Sequence, residues 1–529
     1  MNRIHIVQKI TLCVIVFMIA GSTMLFSQGT PDLSFGIDGK VLTKITKNRD
    51  DIGQSVTVQS NGKTIVIGNS FNTIGYSDIG IVRYKANGRL DKTFNGTGKQ
   101  LIKNAFCNVV KVQQDGKIAI GGSVAIGSTT AFGLWRLNSD GTLDNTFGVN
   151  GYQEVKFGGY VICFAMTLQN DGKILIGGND GNFYAGNSSL IIARLNTDGT
   201  LDNTFSGDGK FSFNLTKKSL TCKEILLQPD GKIIAAGVLD TVRDPVFINE
   251  FYAMRINSDG TVDGTFGNGG YTRAKATTSD VAYSAALLPD GRTVMSGFSD
   301  FGSYNRASVL ALNADGTVDN AFGTNGWVYP DFYGGSGIFT ATMAQTNGKI
   351  ILAGVIYNTN ATSSIGLARL NDDGTFDLTF AHAGRDTFFN GGIYCNDATM
   401  QNDGKIVVTG WQLKGNDYLM TARFLNGTQF QKMEPVVTNA KIGELNLFPI
   451  PVSGTSARLI FTVREPVEAI IRIYDLNGRE ITAPLRVQCS GRMLDQTLSL
   501  PENLHNGIYV CTVEADGVLR TVKFEIHNF

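Results

Sequence analysis

Histidine is scarce, with four residues in 529, and only His382 falls inside the repeated part of the chain. A Ser/His/Asp or Cys/His machine would have to be assembled around that one imidazole, and no nucleophile elbow or HExxH stretch accompanies it. This argues against histidine-based hydrolysis and zinc chemistry. The seven cysteines include no CxxC pair and no Cys/His spacing, so neither a metal nor a cofactor is expected. An excess of one charge is missing too: 46 basic and 46 acidic residues cancel, leaving no field to attract nucleic acid or an anionic membrane. Downstream of Phe26 no apolar run is long enough for a transmembrane helix, so none is expected in the mature chain. A glycosidase needs only two carboxylates, and that class stays open.

Glycine, by contrast, is abundant at 63 residues, which suits many tight turns between short strands. Residues 1–27 read as a secretory signal peptide: Arg3, His5 and Lys9 precede the apolar run Ile10 to Phe26, with Ser22 and Ser27 as small residues for cleavage. From there to about residue 430 one refrain returns seven times, clearest as Asp198-Gly199-Thr200-Leu201-Asp202-Asn203-Thr204-Phe205. Its phenylalanines are Phe35, Phe94, Phe147, Phe205, Phe266, Phe322 and Phe380, spaced 53 to 61 residues apart. Such a period marks stacked or ring-arranged units that cannot bury their apolar faces alone.

Around Gly151 the unit reads as four strand-length runs: Tyr152 to Phe157, Val161 to Gln169, Lys173 to Asn179 and Ser189 to Asn196. Asp171-Gly172 is a tight hairpin signal that returns in every unit, as at Asp115-Gly116 and Asp230-Gly231. A third refrain puts arginine on the last strand at Arg83, Arg136, Arg194, Arg255, Arg369 and Arg423, with Ala311 as the exception. Four strands repeated seven times predict an all-β chain, a seven-bladed β-propeller over residues 28–430. An open β-solenoid is the competing architecture, disfavoured because its coils are shorter and it needs polar caps.

Asp32, Asp91, Asp144, Asp202, Asp263, Asp319 and Asp377 each stand three residues before the refrain phenylalanine. A catalytic carboxylate has to be singular, so these are expected to be structural: the Asp capping a turn, the Phe plugging between blades, the Arg bonding from blade to blade. The rival is calcium held by the Asp-Gly-Thr-x-Asp loop, for which two carboxylates are too few without carbonyls and water. Cys107, Cys163, Cys222 and Cys395 occupy one slot, nine residues before the hairpin glycine, which reads as a small buried position. The hairpins and refrains should share one face of the ring. The other face carries the variable loops, and its Tyr160, Tyr184, Tyr304, Phe332, Tyr333 and Trp411 are candidate ligand-binding residues for stacking on sugars or peptides. Phe247 and Tyr357 lie on the same face.

These refrains resemble the delta-60 repeat, a β-propeller repeat of bacterial secreted and surface proteins, over about Gly29 to Gly427. The resemblance implies a propeller and supplies no catalytic residues. After a linker at 431–443, residues 444–529 read as a small β-sandwich, with alternating strands at Ala469 to Tyr474 and Ile508 to Val513. This tail resembles the carboxy-terminal (type A) sorting domain of type IX secretion cargo in Bacteroidetes. The matching positions are Pro449 and Pro451 near its start, Asp475, Asn477 and Gly478 in the middle, and Asn506, Gly507, Tyr509 and Lys523 near its end. Ile450 departs from the Asn usual between the prolines. The resemblance implies the type IX secretion machinery as a partner, and a secreted or outer-membrane-surface location. Cys489 and Cys511 in the tail are placed to pair if their geometry permits. The expectation is a non-enzymatic propeller that binds a polysaccharide or protein. An extracellular carbohydrate-active enzyme using a carboxylate pair, or a purely structural surface protein, is the alternative.

Overall fold

The structure is a computed structural model of the chain. It describes residues 28–526 except 73–74, 76, 182–186, 244–245, 303, 333, 359–361, 427–441, 449–454, 464–466, 476–479, 490–492, 502–503 and 516–517. Two compact units divide after Phe430. Among the described residues no helix occurs that is long and apolar enough to cross a membrane.

The first unit consists of seven four-stranded antiparallel sheets, the blades of a propeller. Blade 3 shows the pattern: Val161–Leu168, Ile174–Asp180, Ser189–Leu195 and Lys210–Phe213, hydrogen-bonded in that order. The first hairpin forms because Gly172 takes a positive φ of 84° and the Asp171 carboxylate accepts the Lys173 amide at 3.1 Å. The two middle strands are buried almost throughout, being covered on both faces by neighbouring blades. The innermost strands of blades 1 to 7 are Asp50–Val58, Phe106–Val112, Val161–Leu168, Lys218–Leu227, Asp280–Leu287, Ser336–Ala344 and Ile393–Met400.

The phase of the blades differs from the sequence reading. Tyr152–Val155 is not the first strand of the unit that follows it; it is the outer strand of blade 2, paired with Thr129–Leu137. The refrain therefore joins the third and outer strands within one blade and is not the link between blades. Periodicity identifies strands but not their partners, and a four-strand period looks the same in any phase. The same phase explains ring closure. In blade 7, Ile393–Met400, Ile406–Lys414 and Asn416–Phe424 are completed by the N-terminal strand Lys40–Thr43, in register Lys40↔Ala422 to Thr43↔Leu419.

The second unit has a three-stranded sheet (Ile442–Phe448, Ser456–Val463, Met493–Ser499) and a four-stranded sheet (Leu485–Cys489, Val467–Asp475, Gly507–Ala515, Val518–Ile526). Leu459 and Phe461 of one sheet share a core with Ile471, Ile473 and Val513 of the other. Cys489 and Cys511 are buried in that core as free thiols. They lie on opposite sides of the central strand, Cys489 opposite Val467 and Cys511 opposite Ile473. Two strand spacings across the sheet and six residues along the central strand put their backbones roughly 20 Å apart, far beyond the span of a disulfide.

Candidate functional site

The refrain is a frame. In blade 3 the Arg194 Nε meets the Asp202 carboxylate at 2.7 Å, and its Nη2 donates to Thr204 Oγ1 at 3.1 Å. The other Asp202 oxygen accepts the Thr204 amide and hydroxyl, and Lys173 from the hairpin completes the cluster at 2.9 Å. Burial alone would raise the Asp202 carboxyl, but the Thr204 hydroxyl, Lys173, the Thr204 amide and Arg194 together hold it well below the usual carboxylate range. Arg194 Nη1 then donates to the Ser258 carbonyl of the next blade, and the guanidinium lies 4.7 Å from the centre of the Phe205 ring. Phe205 is fully buried between Leu190 and Ile192 of blade 3 and Leu220 and Ile225 of blade 4. The same Arg–Asp pair closes at 2.6–2.8 Å in blades 1, 2, 4 and 6. In blade 7, Arg423 pairs with Asp32 from the N-terminal segment at 2.8 Å. Gly199 keeps the frame tight, because at φ +91° a Cβ there would lie 3.0 Å from the Phe147 ring.

Blade 5 solves the missing arginine differently. Ala311 leaves Asp319 without its usual partner, and the hairpin residue that is lysine in the other six blades is Arg292. Its Nη1 reaches the Asp319 carboxylate at 2.9 Å and the Asp372 carbonyl of blade 6 at 2.9 Å. One side chain thus takes over both contacts of the absent one.

Each inner strand carries a β-bulge at the residue after the cysteine slot: Gln54, Asn108, Phe164, Lys223, Tyr283, Thr340 and Asn396. In three blades this residue ties its blade to the next across the channel wall. Asn108 donates to the Cys163 carbonyl at 2.5 Å, Thr340 to that of Cys395 at 3.1 Å, and Asn396 to that of Gly53 at 2.8 Å. In blade 1, Asn69 makes the equivalent bond to Cys107. Blades 3, 4 and 5 have Phe164, Lys223 and Tyr283 there. Phe164 cannot donate such a bond at all. The Lys223 ammonium sits 3.5 Å from the centre of the Phe164 ring and 6.0 Å from that of Tyr283. Tyr283 packs on Phe298 at 6.2 Å. Farther round, Tyr357 meets Tyr394 edge-on, and Tyr394 stacks on Trp411 at 3.9 Å with 8° between planes. The rings lie in the halves of their strands nearer the variable loops, Lys223 stands at mid-strand, and none is fully buried. They form an arc of rings with one cation in it, from blade 3 to blade 7. Burial pushes the Lys223 ammonium down to about 8, with the Asp240 carboxylate opposing; Asp240 is itself pushed up to about 7 by burial.

The other half of the channel holds a cavity of about 860 Å³ lined by Lys111, Glu224, Ser284, Thr342 and Asp397, and by the hairpins near Asp171 and Pro229. Burial raises Glu224 to about 7, Lys111 opposing and Asp397 adding. Asp397 is committed to the wall: its oxygens accept Ser55 Oγ at 2.7 Å, Val56 N at 2.9 Å and Ala398 N at 2.8 Å.

Of the residues singled out on the variable face, Trp411 and Tyr357 join the arc. Tyr160 is 59% exposed, and Tyr304 lies partly exposed beside Arg306, away from the arc's contacts. Phe332 is not a surface residue: it is 3% exposed, because a tight turn to Gly335 folds its ring edge-on against Phe339 at 5.9 Å. Tyr184 and Tyr333 lie outside the described residues, as does the Phe247 side chain. In the tail, Asp475 ends its strand opposite Tyr509, whose buried ring packs on Phe524 and whose hydroxyl donates to the His505 carbonyl at 2.9 Å. Asn506 and Gly507 are exposed at the start of that strand, and Lys523 pairs in register with Val510. Pro449, Pro451, Asn477 and Gly478 lie outside the described residues. The four slot cysteines are buried free thiols, their acidity suppressed by burial. Among the described residues no group of three or more His, Cys, Asp or Glu is placed to hold a metal. Sequence reasoning missed Phe164, Lys223, Tyr283 and Tyr394. The bulge residues were findable as the position eight before each hairpin glycine, where amide and hydroxyl side chains give way to Phe, Lys and Tyr in three successive units.

Seven radial sheets closed by the N-terminal strand around a channel define a β-propeller. Six segments of the chain, residues 59–94, 113–147, 169–205, 228–266, 288–322 and 345–380, match the family described as "Domain of unknown function (DUF5122) beta-propeller". Each match runs from a hairpin to a refrain phenylalanine, so the bulge residues fall in the gaps between matches. No curated protein matches the chain. Among solved structures it is similar to the polysaccharide lyase Uly1, at 10% identity over 76% of this chain and 96% of that one, TM-score 0.42. It is also similar to a protein of unknown function from Dyadobacter fermentans DSM 18053, at 12% identity over 74% and 98%, TM-score 0.38. A third likeness is to Pyrococcus horikoshii acylaminoacyl peptidase, at 11% over 79% and 59%, TM-score 0.36.

Proposed function

We propose that this chain is a non-enzymatic binding module that takes a polysaccharide at the variable-loop mouth of its channel. The observation that carries the reading is the arc from Phe164 to Trp411. There, three successive blades give up or replace the polar tie between inner strands, and half-buried rings stand where a structural repeat has no use for them. Flat aromatic faces on a rigid scaffold suit the apolar faces of sugar rings. Export by residues 1–27 and by the type IX machinery acting on the C-terminal unit belongs to the same proposal, supported by the leader pattern and the sorting-domain motif.

The test is a glycan-array screen of the full chain with released sugars assayed in the same wells. Binding without turnover is expected, and Trp411→Ala should weaken it by roughly tenfold or more, the scale of one lost stacking contact at about 1–3 kcal/mol. Unchanged binding by a folded Trp411→Ala variant would remove the arc from the site. The carbohydrate-active enzyme is the second reading, favoured by Glu224 and Asp397, two non-repeating carboxylates facing one cavity. Sugar release abolished by Glu224→Gln would establish it in place of the binder.

A further inference from the structure

Resting on the proposal that the arc binds saccharide, we infer that the sugar it takes carries a carboxylate, a uronic-acid-type residue, which meets the Lys223 ammonium between Phe164 and Tyr283. Lys223 is the one cation at the bulge positions. Among the described residues it has neither a carboxylate within ion-pair distance nor a hydrogen-bond acceptor, and its only close partner is the Phe164 ring. An ammonium has three N–H donors, and a ring face occupies none of them with a true acceptor. Removing such a cation from water without an anion is costly, and the blade would have been better tied by the asparagine found in blades 2 and 7. Asp240, the acid whose field reaches Lys223, makes no ion pair or hydrogen bond with it, and one of its buried oxygens has no hydrogen-bond partner. A ligand carboxylate would supply the missing acceptor, while the rings of blades 3 and 5 flank the pyranose that carries it. A neutral saccharide would leave the ammonium as it is.

The ligand pair that isolates this charge is an oligogalacturonate and its fully methyl-esterified counterpart, which share shape and stacking faces. Titrated calorimetrically into the full chain, the acid should bind roughly tenfold tighter or more, the size of one charge-assisted hydrogen bond. Lys223→Met should bring the acid down to the ester's affinity and leave the ester unchanged, and Lys223→Arg should keep the preference. A sulfated neutral oligosaccharide serves as the second anion, and free galacturonate tests whether the carboxylate needs its chain. Equal affinity for acid and ester, or a preference that survives Lys223→Met, overturns the inference while leaving the saccharide reading intact. A sulfated sugar preferred over the uronate overturns the carboxylate assignment. Binding of neither the uronate nor its ester overturns the inference, and the glycan array then decides the saccharide reading by itself.

Discussion

Arg292 shows how much one position can carry when its neighbour fails. In six blades the hairpin lysine and the third-strand arginine divide the work on the refrain aspartate, but in blade 5 Ala311 withdraws and Arg292 holds both Asp319 and the Asp372 carbonyl of the next blade. Arginine can do so because its planar fork offers donors in several directions, whereas lysine is a point charge on a stem. Arg292→Lys should therefore destabilise the propeller, although the charge is kept, and Arg292→Ala should cost more, about 3 kcal/mol, because Asp319 is left with no cation beside it. The control is Lys173→Ala in blade 3, where Arg194 remains on the aspartate; its cost should be markedly smaller. Introducing arginine at position 311 alongside Arg292→Lys should restore stability in urea unfolding. If Arg292→Lys leaves the midpoint unchanged, the compensation does not operate. The substitution was visible in the sequence as a lone Arg among six lysines beside a lone Ala among six arginines, but connecting the two needed the sheet that places Thr293 opposite Leu312.

At the scale of the strand and turn, the refrain aspartates and the buried acids of the inner blades set opposing pH dependences. Asp91, Asp144, Asp202, Asp263 and Asp377 are each held well below the ordinary carboxylate range. A depressed folded pKa contributes stability above the unfolded value of about 3.9, and that stability is lost as pH falls through the folded value. Glu224 and Asp240, raised to about 7, act the other way, because protonating them favours the folded chain as pH falls from about 7 toward 4. Stability is thus expected to rise slightly on mild acidification and to drop steeply only below about pH 4. Urea midpoints across pH 2 to 8 would read this directly; a steady decline beginning at pH 6 would contradict it. Elements of this kind were legible because their chemistry is local: Asp171-Gly172 makes its own turn and Asp202 caps its own Thr204. The bulges were not, since an extra residue appears only when two strands are laid in register, as at Cys163 and Ala165 opposite Gly178 and Gly177. Phe332 failed for a related reason: an aromatic residue in a variable loop carries no mark of whether it faces solvent or folds back, as this one does onto Phe339.

At the scale of the whole molecule the decisive contact is the longest. The seventh refrain is split: Arg423 lies at the end of the last blade, and its Asp32, Ser34 and Phe35 come from the beginning of the chain. Gly29 N donates to the Leu425 carbonyl, Asp32 N to that of Arg423 at 2.7 Å, and Gly36 N to that of Asn87 at 3.1 Å, so the segment clasps blade 7 and reaches blade 1. The fully buried Phe35 ring fills the gap between them, edge-on to Tyr84 at 6.4 Å. In sequence this looked like seven refrains and a last blade without one, and only the pairing of Lys40–Thr43 with that blade resolves the count. The ring is consequently closed by side chains and one four-residue strand, with no covalent continuity. Removing residues 28–43 should strand Arg423 in a buried site, expose the edge of blade 7 and uncouple the first and last blades. A chain beginning at residue 44 should unfold at a much lower temperature and over a broader range, as a stack that has lost its mutual cover does. A synthetic peptide of residues 28–43 should raise that temperature in proportion to its concentration, as any ligand of the folded state does. The same peptide with Asp32→Asn should rescue less well, because it leaves the Arg423 charge unpaired. Closure by the N-terminal segment would be refuted by a truncated chain that melts with the full one and ignores the peptide.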